Sequence, residues 1–268
     1  MNDSSEPALV RRTCITVDLE GYSTFGALTQ KAAQRGLAEA LDTAAATTGL
    51  QRTTWQLQDA GDGEFAVLPL GEDESLAVGT FPTELDTQFR MLHEREGLLL
   101  RARLAINHGM VTPAAKGFAG WGPCDAARIV NAPAVREALR SIPEARIVVA
   151  LSPEIYRDLV QQGHTALDPA QFKQVTVPRT GLAAWIMIPR VHPDLIPDEV
   201  DDDLDDAADQ PVSQQATAEN SSVMQSGRDT TGNVSGSNNF VVGSNSRVTG
   251  SNNTNSPVNN LYLGPRND

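Results

Sequence analysis

The sequence predicts an α+β domain built on one sheet and followed by a long polar tail. Two observations carry that reading. Short β-branched runs alternate with stripes of helical period, in the order β, α, ββ, α, β, α, β, α, ββ. Charge and composition then change after residue 190: residues 191–268 hold 12 acids and 3 bases, against 22 and 18 in residues 1–190.

Ile15 and Val17 alternate as a buried strand requires. The strand ends on an acid, Asp18, before a turn glycine, Gly21. Phe25, Leu28, Ala32, Leu37 and Leu41 trace a helical stripe that stops near Gly49. Trp55 and Leu57 on one side, and Phe65, Val67 and Leu68 on the other, flank Asp59-Ala60-Gly61-Asp62-Gly63, a β-hairpin presenting Asp62 at its tip. The run from Gly71 to Glu74 reads as a solvated turn. Leu85, Phe89 and Leu92 mark a second amphipathic helix, and Leu98 to His108 alternates as a strand that continues through Gly109, Met110 and Val111. The glycine-rich run from Gly117 to Val130 leads into a short helix. Pro133 starts the next, from Ala134 to Arg140. Ile147 to Leu151 is a buried strand, and Ser152, Pro153 and Glu154 supply the N-cap, N1 proline and first-turn acid of a helix through Val160. Val175–Val177 and Ala183–Ile188 close the domain as a strand pair, with the helices expected on one face of the sheet.

Composition excludes several classes of function. Residues 1–190 are mildly acidic and carry no basic run, which argues against a nucleic-acid partner. Two cysteines, Cys14 and Cys124, give no disulfide framework and fit a reducing compartment. The opening residues are polar, without the apolar stretch of a secretory signal, and no apolar run approaches the length of a membrane span. These features predict a cytoplasmic protein with no membrane partner.

A strand that ends on a carboxylate and turns toward a helix N-terminus suits a cation and a phosphate together. The carboxylate holds the metal, and free helix N–H groups accept anionic oxygens. Asp18-Leu19-Glu20-Gly21-Tyr22-Ser23, followed 44 residues after its acid by Gly61-Asp62-Gly63 in a hairpin, resembles the class III nucleotide cyclase domain. That domain opens with strand-Asp-x-x-Gly-Phe/Tyr-Ser/Thr and later carries Gly-Asp-Gly in a hairpin. The resemblance covers roughly residues 10–190 and implies the ferredoxin-like cyclase fold. It also implies that Asp18 and Asp62 bind two divalent cations, Mg²⁺ or Mn²⁺, which activate the 3′-hydroxyl of a nucleoside triphosphate and stabilise the leaving group. Glu20, Gly21, Tyr22 and Ser23 would cradle phosphate, with Arg179 as a further phosphate contact. The segment Arg103-Leu104-Ala105-Ile106-Asn107-His108-Gly109 is similar to a strand of that family that carries a histidine; His108 lies one residue from its place and is read as structural.

The same resemblance implies a homodimer. In this family an asparagine and an arginine, four residues apart on a helix of the other protomer, steady the transition state. Arg128 matches the arginine, but Cys124 stands where the asparagine belongs, and Asn131, one turn further on, is the candidate substitute. At the base-selecting positions Gln58 replaces a lysine and Gly117 stands at its partner position. The base-facing set is therefore Gln58, Gly117 and Cys124, small and uncharged, and it names neither ATP nor GTP. Two readings follow: a cyclase with altered base choice, or a cyclase-like dimerisation or sensor module without turnover.

Residues 191–226, centred on Asp198-Glu199-Val200-Asp201-Asp202-Asp203-Leu204-Asp205-Asp206, read as a disordered acidic linker. Over residues 227–264, Gly-Ser-Asn recurs every seven residues from Gly236, Gly243 and Gly250, with Val234, Val241 and Val248 in step. So little helix former excludes a coiled coil and suits short strands between glycine turns. The repeat resembles bacterial amyloid-type signalling motifs, which implies a signalling partner recruited by β-type self-assembly.

Overall fold

A computed structural model describes residues 9–178 and 180–197 of the chain. Arg179 and the two tail segments beyond residue 197 lie outside the described residues. Within them the elements run β1 (Val10–Leu19), α1 (Ala27–Thr48), β2 (Gln56–Asp59), β3 (Gly63–Val67), α2 (Glu74–Gly79), α3 (Phe81–Glu96), β4 (Ala102–Ala114) and β5 (Gly117–Ala119). They continue with α4 (Trp121–Val130), α5 (Pro133–Arg140), β6 (Ile147–Leu151), α6 (Pro153–Ile155, extended by π turns to Val160), β7 (Lys173–Val177) and β8 (Leu182–Met187). The strands lie in the order β2-β3-β1-β4-β6-β8-β7, with β5 paired to the end of β4. Only β4 and β6 run parallel; the other pairs are antiparallel.

Alternation along β1 sends Ile15, Val17 and Leu19 into the main core, where they join Leu104 and Ile106 of β4 and Val149 of β6. Leu37 and Leu41 of α1, Leu85 and Phe89 of α3, and Ile155 of α6 cover that face. The helices do not all lie there, as the sequence reading expected. Ile129 of α4 and Val135 and Leu139 of α5 pack on the other face, against Val148 and Ala150. The physical reason is β6, whose five residues are all buried: a strand apolar at every position must be covered on both sides.

Two further details depart from the sequence reading. The turn after Gly71 becomes helix α2, because the Asp73 carboxylate accepts the N–H groups of Ser75 and Leu76 and caps it. The folded region also runs past residue 190: Ile188, Val191 and Ile196 pack beside α5 and β7, and Lys173 donates to the Ile196 carbonyl.

Helix α4 sits unusually close to the sheet. A Cβ on Gly109 would lie 2.5 Å from Cα of Gly122, so the two glycines let helix and strand touch backbone to backbone. Buried Asn107 donates from Nδ2 to the Gly122 carbonyl at 3.0 Å and anchors this crossing.

Candidate functional site

The face of β1 turned away from the main core carries Cys14, Thr16 and Asp18. Strand registers extend this face sideways: Asp18 lies opposite Gly63 on β3 and Arg103 on β4, and Phe65 of β3 lies opposite Gln58 of β2. The Arg103 guanidinium donates to the Asp18 carboxylate, with side-chain exposures of 5% and 17%. The carboxylate at the strand end is therefore paired with a buried cation.

The Asp62 turn is pinned to the same strand end. Leu19 N–H donates to the Asp62 carbonyl at 3.0 Å, Asp62 N–H donates to the Ala60 carbonyl at 3.0 Å, and Gln34 Nε2 donates to the Gly61 carbonyl at 2.8 Å. Asp18 and Asp62 thus arrive at one end of β1, largely through backbone pairing. Both flanking glycines answer to backbone geometry. Gly61 has φ 80°, and a Cβ on Gly63 would sit 2.0 Å from the Val17 carbonyl oxygen.

The turn after β1 is partly committed to the fold. Glu20 is engaged by Arg101. Its N–H donates to the Arg101 carbonyl at 2.9 Å, and its carboxylate pairs with Arg101 Nε at 3.0 Å. Gly21, with φ 69°, leads into a 3-10 turn over Tyr22–Thr24. The N–H groups of Thr24 and Phe25 close this turn onto the carbonyls of Gly21 and Tyr22, leaving those of Gly21, Tyr22 and Ser23 as its remaining donors among the described residues. Phe25 and Gly26 separate the turn from α1.

Of the residues expected to face the base, Gln58 and Gly117 meet directly: a Cβ on Gly117 would lie 1.9 Å from Gln58 Oε1, so glycine is what lets the amide lie there. Beside them the rings of Phe65 and Phe118 tilt together at 5.6 Å. Cys124 is exposed on α4. Arg128 pairs with Asp125 at 2.9 Å, its guanidinium 5.5 Å from the Trp121 ring centroid. Asn131 has a structural task that the sequence reading did not assign. It caps α4, donating to the Ala127 carbonyl at 3.0 Å and accepting from Arg136 at 3.0 Å.

No family model matches the chain, and no curated protein matches it. Among solved structures it is similar to an adenylate/guanylate cyclase/hydrolase from Silicibacter pomeroyi, at 16% identity over 69% of this chain and 99% of that one, with a TM-score of 0.50. The adenylyl cyclase CyaB from P. aeruginosa (13% identity, 70% and 98% covered, TM-score 0.49) and the guanylyl cyclase Cya2 (14%, 68% and 93%, 0.49) are further neighbours.

The fold is that of the class III nucleotide cyclase domain.

On this cyclase fold the two acids meet a cation's needs by donor type. Among the described residues no group of three or more His, Cys, Asp or Glu side chains gathers to hold a metal. A pair of carboxylates suffices for Mg²⁺ or Mn²⁺ where phosphate oxygens and water complete the shell. No helix among the described residues is long and apolar enough to cross a membrane.

Sequence reasoning missed Arg103 and Trp121. The signal for Arg103 was present: a charged residue inside an otherwise apolar strand, where Ala102, Leu104 and Ile106 are fully buried. His108 stands across from Thr13, five residues along β4 from Arg103, about 17 Å away from the acids. Its Nε2 lies 4.0 Å from Glu74.

The cysteines are expected to behave oppositely. Burial pushes the Cys14 thiol up to about 12, whereas Cys124 is exposed. An aromatic disulfide reagent at pH 8 should titrate one thiol in the folded protein and two after denaturation. Two fast-reacting thiols in the native state would show that Cys14 is accessible.

Proposed function

We propose that this domain is a nucleotide cyclase that binds a nucleoside triphosphate with two divalent cations, Mg²⁺ or Mn²⁺. It would form a 3′,5′-cyclic nucleotide and release pyrophosphate. The observation that supports this most is the strand end where Asp18, paired with Arg103, and the pinned Asp62 turn meet. Asp18 and Asp62 would hold the cations, which when bound favour loss of the 3′-hydroxyl proton and offset charge on the triphosphate. The N–H groups of Gly21, Tyr22 and Ser23 receive phosphate oxygens, with Arg179 assigned to the same task. The 3′-oxygen then bonds to the α-phosphorus as its bond to the bridging oxygen breaks.

Arg128 lies on an exposed stretch of α4, so we assign it to the site of a second copy in a two-fold homodimer. Incubation with each of four nucleoside triphosphates and Mn²⁺ should yield a cyclic product. Asp62→Ala should abolish it with the fold intact. No product from any of them, together with no triphosphate-dependent thermal shift, overturns the reading. Mixing Asp62→Ala with Arg128→Ala chains should restore about a quarter of the wild-type rate, since half the dimers regain one site. A monodisperse monomer with or without nucleotide argues against the shared site.

A second reading is favoured by Cys124 at the asparagine position and by the Gln58 amide lying against Gly117. In it the domain binds nucleotide without turnover, and the repeat over residues 227–264 recruits a signalling partner. Binding without product in the same assay selects it.

A further inference from the structure

Helix α4 buries one face, through Gly122, Ala126, Ile129 and Val130. Its other face presents Trp121, Cys124, Asp125 and Arg128. Trp121 is 66% exposed, and its aromatic partner is the guanidinium of Arg128 at 5.5 Å. A large aromatic left this open beside a cation is unusual, because indole gains most when covered. Seven residues along a helix span about 10 Å, so indole and guanidinium backbones stand two turns apart, with Cys124 and Asp125 on the turn between them. That is the order of separation between a nucleobase and its phosphates. Asp125 holds Arg128 from the side at 2.9 Å, which keeps the guanidinium folded over the indole while no ligand competes for it.

We infer that this stripe is a nucleotide ledge on which the base stacks against Trp121 while Arg128 turns to the phosphates. The inference rests on the cyclase reading above, which sends Arg128 to the site of a second copy; Trp121, on the same stripe, goes with it. The base displaces the guanidinium from the indole and thereby releases it toward the phosphates. Stacking is tolerant of sequence, since every base has a π-face. The Gln58 carboxamide adds to this tolerance, because it offers both a donor and an acceptor. The ligand class is thus the nucleoside triphosphates irrespective of base, which accounts for a base-facing set with no charged reader.

The three tryptophans make this measurable in the full chain. Trp55 is 7% exposed and Trp185 partly buried, so Trp121 dominates the solvent-exposed emission. ATP, GTP, CTP and UTP, each with Mn²⁺, should all quench that emission in the wild type. Trp121→Ala should lose the quench and bind all four more weakly by a similar factor, roughly 10- to 100-fold. Trp121→Phe should keep most of the affinity, and neither change should move the thermal midpoint of the free protein. If Trp121→Ala binds all four within twofold of wild type, or if the loss falls on one base alone, the ledge is wrong while the cyclase reading stands. If the wild type binds none of the four, both fall together.

Discussion

Asp18→Ala is expected to lower the unfolding free energy by about 3–5 kcal/mol, the cost of removing one partner from a buried ion pair. Arg103 is buried, at 5% exposure, and Asp18 is largely covered, at 17%. Removing the acid takes the Asp18 carboxylate away from the buried Arg103 guanidinium. Replacing both residues is expected to recover most of that loss, since apolar groups of similar volume serve a buried position about as well as an ion pair. Urea denaturation of Asp18→Ala and of Asp18→Ala with Arg103→Leu tests this directly. Asp62→Ala, whose turn is held by backbone bonds, should stay within about 0.5–1 kcal/mol of wild type. The two acids thus separate: both should remove activity, and only one should cost stability. Equal stability of the Asp18→Ala chain and the wild type would show that Arg103 does not depend on Asp18.

Gly63→Ala is expected to be comparably damaging, for a steric reason. The new Cβ would meet the Val17 carbonyl oxygen at 2.0 Å, the Val17 carbonyl carbon at 3.0 Å and the Asp18 Cα at 3.1 Å. All three are backbone atoms, so no side chain can rotate aside. The hairpin must lift from β1, which breaks the register that brings Asp62 to Asp18. We expect about 3 kcal/mol or more of destabilisation, the upper range for overpacking, and loss of Mn²⁺-dependent triphosphate binding. Gly61→Ala is the control. Its φ of 80° disfavours a side chain, but nothing lies within 4 Å of the new Cβ, so about 1–2 kcal/mol is expected. If both substitutions cost the same in a denaturation series, close approach to β1 is not what requires Gly63.

Periodicity and turn chemistry made most elements legible. Ile15 and Val17 lie in β1 and Pro133 opens α5; of the expected helical stripe Leu37 and Leu41 are buried in α1, whereas Phe25 precedes the helix and Leu28 is 87% exposed. That Asp18 and the Asp62 turn share a strand end is expected only from the resemblance of their two motifs to a cyclase domain; the register that pairs Asp18 with Gly63 is what the structure adds. What the sequence could not convey depends on neighbours far along the chain. The pairing of Glu20 with Arg101 is one such contact. Gln58 and Gly117 read as two missing readers until one is found packed on the other. Helices α4 and α5 read as companions of α1 and α3. Only the side on which β6 needed cover, implicit in its unbroken run Ile147–Leu151, distinguishes them.

The pairing of β1 with β4 joins residues 85 positions apart at Asp18 and Arg103, across a ten-residue register at the centre of the sheet. At a synthesis rate of about 5–20 residues per second, β4 leaves the ribosome roughly 4–17 s after β1. Over that interval β3 can occupy one edge of β1, while the other stays open as a row of unpaired N–H and C=O groups. Such long-range closure places the domain among slow folders. Arg103 stands second in β4, so its pairing with Asp18 is among the first register marks the nascent strand offers to β1.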